Sequence, residues 1–312
     1  MSNVRGKPLS VKRRSGGTLS TMPTTTFDLR SELPARLSPS RLSDYVQCPK
    51  LFYYKTILKL KTPNTVATTK GTLAHYAFEH IFDIERGLRT PETAVGYVRT
   101  HWEELARDPS YASVIKLGED VIEEMLTDAE RMVAGWFEME RVNNFNPVGR
   151  ERWVRGEVGG LALHGVIDRL DEVGDEARTY ISDYKTGKAP KAQYIDKAFF
   201  AMDIYTCLLE QETKKRPFEL RLIYVKNSQR DDIVKKRVSD ASVDQITRQV
   251  AAIGRGIDSD AKRGCFDPKT GPLCSWCDFQ GVCPAFNPAM EGLDFDELVE
   301  ALGDNVVAVP ED

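Results

Sequence analysis

The fold of this chain is decided by the segment GVIDRLDEVGDEARTYISDYKTGK, which covers residues 165–188. Its two halves have the composition of strands, and Gly174-Asp175 between them is a turn signal. A hairpin that turns here would place the two strands side by side. Asp168 on the first strand and Asp183 on the second would then lie within reach of one metal ion.

The second strand ends in Asp183-Tyr184-Lys185, a pattern that suits hydrolysis of a phosphodiester with the help of a divalent metal. Carboxylate oxygens are ligands that Mg²⁺ and Mn²⁺ prefer. Lys185 lies two residues after Asp183 on the strand, so both side chains point to the same face. There the ammonium group can orient the attacking water or offset charge that develops on the phosphate. Taken alone, the triplet is more often a solvated ion pair at a strand edge.

The sequence on the N-terminal side of this hairpin is typical of helices. Ser38-Pro39-Ser40 is a helix-entry signal, and helical spacing continues to Lys59 with an interruption at Cys48-Pro49. A helix expected after Gly71 would carry His75, whose imidazole could join the two carboxylates and inclines the site toward Mn²⁺ as well as Mg²⁺. Further helical patterns cover about residues 91–107 and 117–142.

Strands and helices alternate after Pro147. We expect strands at about 151–172 (broken at Gly159-Gly160), 178–185, 218–226 and 231–238, with helices near 194–212 and 241–262. This order indicates an α/β or α+β nuclease-like core behind a helical N-terminal portion.

A cysteine-rich loop follows these strands and helices in the sequence. Its three close cysteines are Cys274, Cys277 and Cys283. A Cys-x-x-Cys pair in a loop aims two thiolates at one metal site, and Cys48 is the best candidate for a fourth ligand. Cys207 lies in an apolar helical pattern, whereas Cys265 remains a competitor for the fourth place. Zinc and a [4Fe–4S] cluster both accept four thiolates, although zinc sites usually draw their ligands as two close pairs.

Taken in order, these motifs resemble the RecB-type branch of the PD-(D/E)xK nuclease superfamily. The likeness covers roughly residues 37–286 and is greatest to the single-domain RecB-like exonucleases, including the CRISPR-associated ones, and to the iron–sulfur nuclease domain of AddB type. The family's opening motif is matched from Leu37 to Cys48-Pro49. Its later motifs Gly-x-x-x-His, Gly-x-x-Asp and Asp-x-Lys are matched by Gly71 and His75, by Gly165 and Asp168, and by Asp183 and Lys185.

The resemblance implies a restriction-endonuclease-like core with a mixed central sheet, a helical N-terminal portion and a C-terminal iron–sulfur clasp. It implies that Mn²⁺ or Mg²⁺ is held by His75, Asp168, Asp183 and the backbone carbonyl of Tyr184. The implied catalytic residues are Lys185, Asp183, Asp168 and Tyr205, and the implied ligands of a structural [4Fe–4S] cluster are Cys48, Cys274, Cys277 and Cys283. Ala201 stands where the family has a glutamine, so the contact that the side-chain amide of this glutamine makes in the family is missing here.

The ends of the chain differ in charge. Residues 1–36 are expected to form a disordered basic arm, residues 37–288 a single nuclease domain, and residues 289–312 an acidic tail. The arm is more often a solvated tail than a contact for phosphates. The apolar residues of the tail predict a short amphipathic helix, which either packs on the body, as we favour, or docks a protein partner.

The bulk composition is that of a soluble globular protein, with 41% hydrophobic and 29% charged residues among 312. No apolar run approaches the roughly 20 residues of a membrane span, and no signal-peptide core is present, so we expect a cytoplasmic protein without a membrane partner. The net charge of −4 is unlike the basic balance of most nucleic-acid-binding domains.

Three functions compete. The leading one is a metal-dependent exonuclease that acts on DNA ends or on single-stranded DNA. The second is a non-catalytic DNA-binding or adaptor protein of the same fold, which Ala201 alone supports. The third is a zinc-stapled protein without a nucleic-acid role, which would make the His75 and Asp-x-Lys matches coincidental.

Overall fold

The part of the chain before the central sheet is helical, as the sequence predicts. A computed structural model of the protein describes residues 28–227, 232–293 and 295–303. The α-helices that precede the sheet are α1 (Pro39–Gln47), α2 (Pro49–Phe52), α3 (Val66–His80), α4 (Pro91–Leu105), α5 (Ala112–Ile115) and α6 (Glu119–Glu140). A π-helical turn at Tyr53–Ile57 extends α2.

Five strands form one mixed sheet in chain order. They are β1 (Gly149–Val158), β2 (Leu161–Val173), β3 (Arg178–Lys185), β4 (Glu219–Tyr224) and β5 (Ile233–Arg237). Only β3 and β4 pair in parallel, while the other neighbours in this sheet are antiparallel. A parallel pair requires a crossover, which is supplied by α7 (Ile195–Ala198) and α8 (Phe200–Thr213). The predicted α/β class and the mixed central sheet are therefore confirmed.

Helices cover both faces of the sheet. One face packs against α1, α8 and the long helix α9 (Asp240–Arg263) through a core that includes Leu42, Leu208 and Val250. The other face packs against α3, α4 and α6, and this second core includes Tyr184 of β3. Burial of apolar side chains on both faces fixes where the end of β3 lies relative to α3.

The helix starts are set by local side chains. Thr65 and Thr68 form a reciprocal capping box that begins α3 at Val66. Our prediction that this helix begins after Gly71 is therefore wrong, because Gly71 lies inside the helix. Ser239 caps α9 in the same way, and Gly264 ends it with a positive φ of 65°.

The N-terminal end of the described chain differs from the prediction, whereas the C-terminal helix agrees with it. The ordered body begins before residue 37, since the backbone N–H of Leu29 donates to the carbonyl of Ala261 and Leu33 packs against the core. The rest of the predicted basic arm, residues 1–27, lies outside the described residues. The acidic tail does form an amphipathic helix, α10 (Phe295–Leu302), whose Leu298 and Leu302 are buried. This burial favours packing on the body over docking of a partner.

No helix among the described residues combines the length and apolar character that a bilayer crossing requires.

Candidate active site and cysteine site

Strands β2 and β3 bring the two predicted aspartates together. Arg169 pairs with Ser182 in antiparallel register, so Asp168 and Asp183 are the next residues along the hairpin. The backbone N–H of Tyr184 donates a 2.8 Å hydrogen bond to Oδ2 of Asp168. This bond fixes the first carboxylate against the strand that carries the second.

Helix α3 carries His75 to the same point. Its Nδ1 lies 3.5 Å from Oδ2 of Asp168, and its Nε2 lies 3.2 Å from the carbonyl oxygen of Tyr184. The helix is held there by Phe78, whose ring centroid lies 4.6 Å from that of Tyr184. An imidazole, a carboxylate and a backbone carbonyl therefore converge, which is the arrangement of donors that a divalent cation accepts.

Asp183 and Lys185 form the second half of the site. The Nζ of Lys185 lies 2.5 Å from Oδ2 of Asp183. That oxygen is buried, and Lys185 is the polar partner described for it. Burial of Lys185 opposes its charged form, but the pairing with Asp183 outweighs this and raises the pKa of the lysine. The ammonium group is therefore charged at neutral pH.

Glu151 joins this cluster, although it is not among the site residues predicted from the sequence. The residues on either side of Glu151 pair with those on either side of Asp168, so the two acids face each other across β1 and β2. Ligand atoms of His75, Glu151 and Asp168 all lie within 4.8 Å of one another. The φ of Glu151 is +41°, a left-handed conformation that is uncommon for a residue with a side chain and often marks a functional site.

The carboxyls of the cluster resist ionisation while no cation is present. Burial, together with the charge of Asp183, raises the pKa of Asp168 to about 6. Partial burial, together with the charges of Asp168 and Glu79, raises the pKa of Glu151 to about 7. Like charges gathered in a cleft are unfavourable alone and become favourable when a cation neutralises them.

Tyr205 of α8 approaches the same strands from the opposite core. A Cβ added to Gly165 would lie 2.2 Å from Cε1 of Tyr205, so only glycine permits this approach. Burial and the charges of Asp183 and Asp168 raise the pKa of Tyr205 well above its usual value. The phenol is therefore neutral and able to donate a hydrogen bond. Ala201 lies one helical turn before it.

A buried ionic network supports Tyr184. The guanidinium of Arg169 donates to both carboxylate oxygens of Glu140, at 2.6 and 2.8 Å, and to Asp171 at 3.0 Å. It also donates to the hydroxyl of Tyr184. Trp136 donates a further hydrogen bond of 2.6 Å to Glu140. Helix α6 is thus tied by polar contacts to the strand that carries Asp183 and Lys185.

Cys48 and the three cysteines of the loop line one cavity of about 840 Å³. The backbone N–H of Lys269 donates to Sγ of Cys48, and that of Gly271 donates to Sγ of Cys274, both at 3.3 Å. The thiol of Cys265 donates instead to Asp267 at 3.2 Å, and Cys265 does not line the cavity. The geometry thus gathers the four cysteines that the resemblance implies.

The spacing of these sulfurs bears on the choice between zinc and a cluster. A tetrahedral zinc ion with Zn–S bonds of about 2.3 Å holds its sulfurs roughly 3.8 Å apart. Among the residues that the structure describes, no three cysteine sulfurs lie within 4.8 Å of one another. The described cysteines therefore do not form a set of three thiols that is already at the spacing of a zinc site.

The other histidines lie elsewhere. His80 pairs with Asp83, His101 stacks on Tyr76, and His164 stacks on Trp153.

Known proteins resemble the chain in sequence and in fold. The family model described as the PD-(D/E)XK nuclease superfamily matches residues 36–284. A crystal structure of a candidate exonuclease from Eubacterium rectale is similar at 13% sequence identity and a TM-score of 0.50, covering 84% of this chain and 93% of that chain. The solved structure of SSO0001 matches at 19% identity and a TM-score of 0.33, covering 70% of this chain and 96% of that chain. At 13% identity, the likeness to the structure from Eubacterium rectale concerns the fold alone. No curated protein matches the chain in sequence.

Proposed function

Because the chain belongs to the PD-(D/E)XK nuclease superfamily, we propose that it is a DNA exonuclease that hydrolyses phosphodiester bonds with Mn²⁺ or Mg²⁺. The observation that carries this proposal is the convergence of His75, Asp168 and the Tyr184 carbonyl beside the Asp183–Lys185 pair. A nuclease domain of this superfamily implies DNA as the substrate.

The cation would be held by His75, Asp168, Asp183 and the carbonyl oxygen of Tyr184, with Glu151 as a further carboxylate. The raised pKa values of Asp168 and Glu151 support this assignment, because they describe buried acids that lie beside like charges and would be stabilised in their ionised form by a cation. When bound, Mg²⁺ or Mn²⁺ supplies Lewis-acid polarisation of the phosphoryl oxygens.

The residues around the cation would perform the remaining chemistry. Lys185 is held by Asp183 at the end of β3, where its charged ammonium can orient the attacking water and offset negative charge on the phosphate. Tyr205 stays protonated and can donate a hydrogen bond to a phosphate oxygen. Asp168 is oriented by the Tyr184 N–H, which keeps one carboxylate oxygen in a fixed position.

We further propose that Cys48, Cys274, Cys277 and Cys283 hold a structural [4Fe–4S] cluster, as in the AddB-type and CRISPR-associated relatives. Two backbone N–H donors to the sulfurs and the position of all four thiols on one cavity support this ligand set. Such a cluster would join α1 and α2 to the C-terminal loop. Residues 37–288 would then form one domain that is closed from both ends.

The decisive experiment is degradation of end-labelled single-stranded and duplex DNA by anaerobically purified protein with Mn²⁺, Mg²⁺ or EDTA. We expect metal-dependent release of labelled mononucleotides by the wild type and none by Asp183→Ala. Asp175→Ala, in the exposed turn between β2 and β3, is the matched control and should stay active. Internal cuts without mononucleotide release would replace the exonuclease assignment by an endonuclease.

A second candidate function is a non-catalytic DNA-binding adaptor, which the alanine at position 201 favours. It predicts that the wild type binds DNA and retains its iron but degrades no substrate with either metal. Activity of the wild type that is lost in Asp183→Ala would exclude it.

A further inference from the structure

The face of β1 and β2 beyond the acid cluster carries an exposed aromatic pair. The indole of Trp153 is 69% exposed. It lies nearly parallel to the imidazole of His164, with ring centroids 5.8 Å apart and an interplanar angle of 16°. Arg155 stands directly opposite His164 in the strand register. These three residues are termed the Trp153 platform.

The platform is continuous with the candidate active site. Trp153 follows Glu151 by two residues, which places it about 7 Å further along β1 at roughly 3.4 Å per residue. Val166, the partner of Trp153 in the register, precedes Asp168 by two residues. A strand of nucleic acid whose phosphate lies at the carboxylates would therefore pass over this part of the sheet.

The charges around the platform suit a phosphate backbone. Arg155 is exposed and makes no ion pair within the described ranges, unlike Arg152, which pairs with Glu212. Arg36 adds a second cation, since its Nη1 donates at 3.2 Å to the carbonyl oxygen of Gly156, the neighbour of Arg155. An unpaired arginine beside an aromatic ring is a combination typical of single-strand binding surfaces.

Trp153 has no packing role that would explain it. It belongs to none of the three apolar clusters among the described residues, and the side chains of its strand that do pack, such as Val154, point to the other face. The imidazole of His164 lies nearly parallel to the indole and is its described ring contact. The remaining surface is a flat apolar plane beside the acids.

We propose that the Trp153 platform stacks an unpaired base of the DNA strand next to the phosphate that is cut. This inference rests on the proposed nuclease function and makes single-stranded DNA the preferred substrate. Stacking on an aromatic ring accepts any base, because every base has a π face. Bases inside a duplex are already stacked and paired, so they cannot use the platform. Arg155 contacts the neighbouring phosphate.

A binding experiment distinguishes base stacking from general electrostatic attraction to DNA. With EDTA present, the affinity for a labelled oligothymidylate is measured by fluorescence anisotropy. We expect Trp153→Ala to weaken binding about tenfold, in the range found for the loss of one base stack. Trp153→Phe should restore most of the affinity, whereas Trp153→Leu, which keeps apolar area without a π face, should not. Trp276→Ala removes the other highly exposed tryptophan, 84% accessible, and should bind as the wild type does.

A cleavage assay distinguishes the stacking proposal from the nuclease proposal on which it rests. In the presence of metal, Trp153→Ala should raise KM for single-stranded DNA with little change in kcat, and should leave the cutting of blunt duplex unchanged. If the wild type cuts DNA and Trp153→Ala binds and cuts single strands equally well, the stacking proposal is refuted and the nuclease proposal is retained. If the wild type cuts no DNA, both proposals are refuted. A change of oligomeric state in Trp153→Ala, seen by light scattering, would make the platform a contact between copies of the chain.

Discussion

The guanidinium of Arg169 donates a hydrogen bond to the hydroxyl of Tyr184, while the backbone of the same tyrosine faces His75 and Asp168. The side chain of Tyr184 is thus anchored in the core that contains α6, and its peptide groups form part of the candidate metal site. The geometry of the candidate metal site is therefore coupled to a buried ionic network.

Replacing Arg169 tests this dependence. Arg169→Met would leave Glu140 and Asp171 buried without their cation, which typically costs about 3–5 kcal/mol. We expect a large fall in the midpoint of thermal unfolding. Arg178→Met, which removes an exposed pair with Glu176 and a cation–π contact with Phe218, should cost about 1 kcal/mol. Equal melting of the two variants would show that the buried network contributes nothing.

The raised carboxyl pKa values predict opposite pH trends for the metal-free and metal-bound protein. An unfolded chain ionises these acids near pH 4, whereas Asp168 and Glu151 have pKa values of about 6 and about 7 when folded. As the pH falls from about 8 to about 5, the folded protein takes up protons that the unfolded chain does not, so the metal-free protein gains stability from these two groups.

Mn²⁺ requires the same acids to be ionised, so its affinity should fall over that range. Isothermal titration at several pH values measures this, and Glu151→Gln should remove the upper part of the dependence. An affinity for Mn²⁺ that is constant from about pH 8 to about pH 5 would contradict the assignment of these ligands.

Gly165 is expected to tolerate no side chain. Gly165→Ala would force Tyr205 away from the strand, and overpacking of this kind costs about 1–3 kcal/mol. Adding Tyr205→Ala should relieve the clash, so the double variant should be more stable than the sum of the single effects predicts. Gly96→Ala on the exposed side of α4 meets no atom within 4 Å and should be neutral or stabilising.

Iron content distinguishes the four proposed cysteine ligands from Cys265. Cys48→Ser and Cys277→Ser should each lose the visible absorbance and the iron of the anaerobically purified protein, and should melt at a lower temperature. Cys265→Ser is the matched control and should keep both, because its thiol faces Asp267. Stoichiometric zinc in place of iron would refute the cluster, and loss of iron in Cys265→Ser would reinstate that residue as the fourth ligand.

The proximity of Asp168 to Asp183 and Lys185 could be predicted because these residues lie on one hairpin. The turn at Gly174-Asp175 is a local signal, and an antiparallel pair with a short turn leaves little freedom in where Asp168 and Asp183 meet. His75 was predictable only through its match to a family motif, since nothing local specifies which strand a helix face will contact.

Glu151 was not predictable from the same pattern. It stands between two arginines, which is the usual composition of a solvated strand, and only the register of β1 on β2 places it opposite Asp168. The start of α3 was predicted too far along the chain, after Gly71. The threonine pair that caps the helix begins six residues before that glycine. The burial of Arg169 likewise depends on Glu140, which comes from a distant helix.

The hydrogen bond from Tyr54 to the carbonyl of Val282 joins residues 228 positions apart, and Leu298 and Leu302 of α10 cover the same cluster. Contacts between such distant positions form late, because a long loop must close first. During synthesis, the apolar surface of Tyr54 and Leu60 is therefore incompletely covered until α10 has left the ribosome. Apolar surface that is exposed in this way makes a nascent chain prone to aggregation.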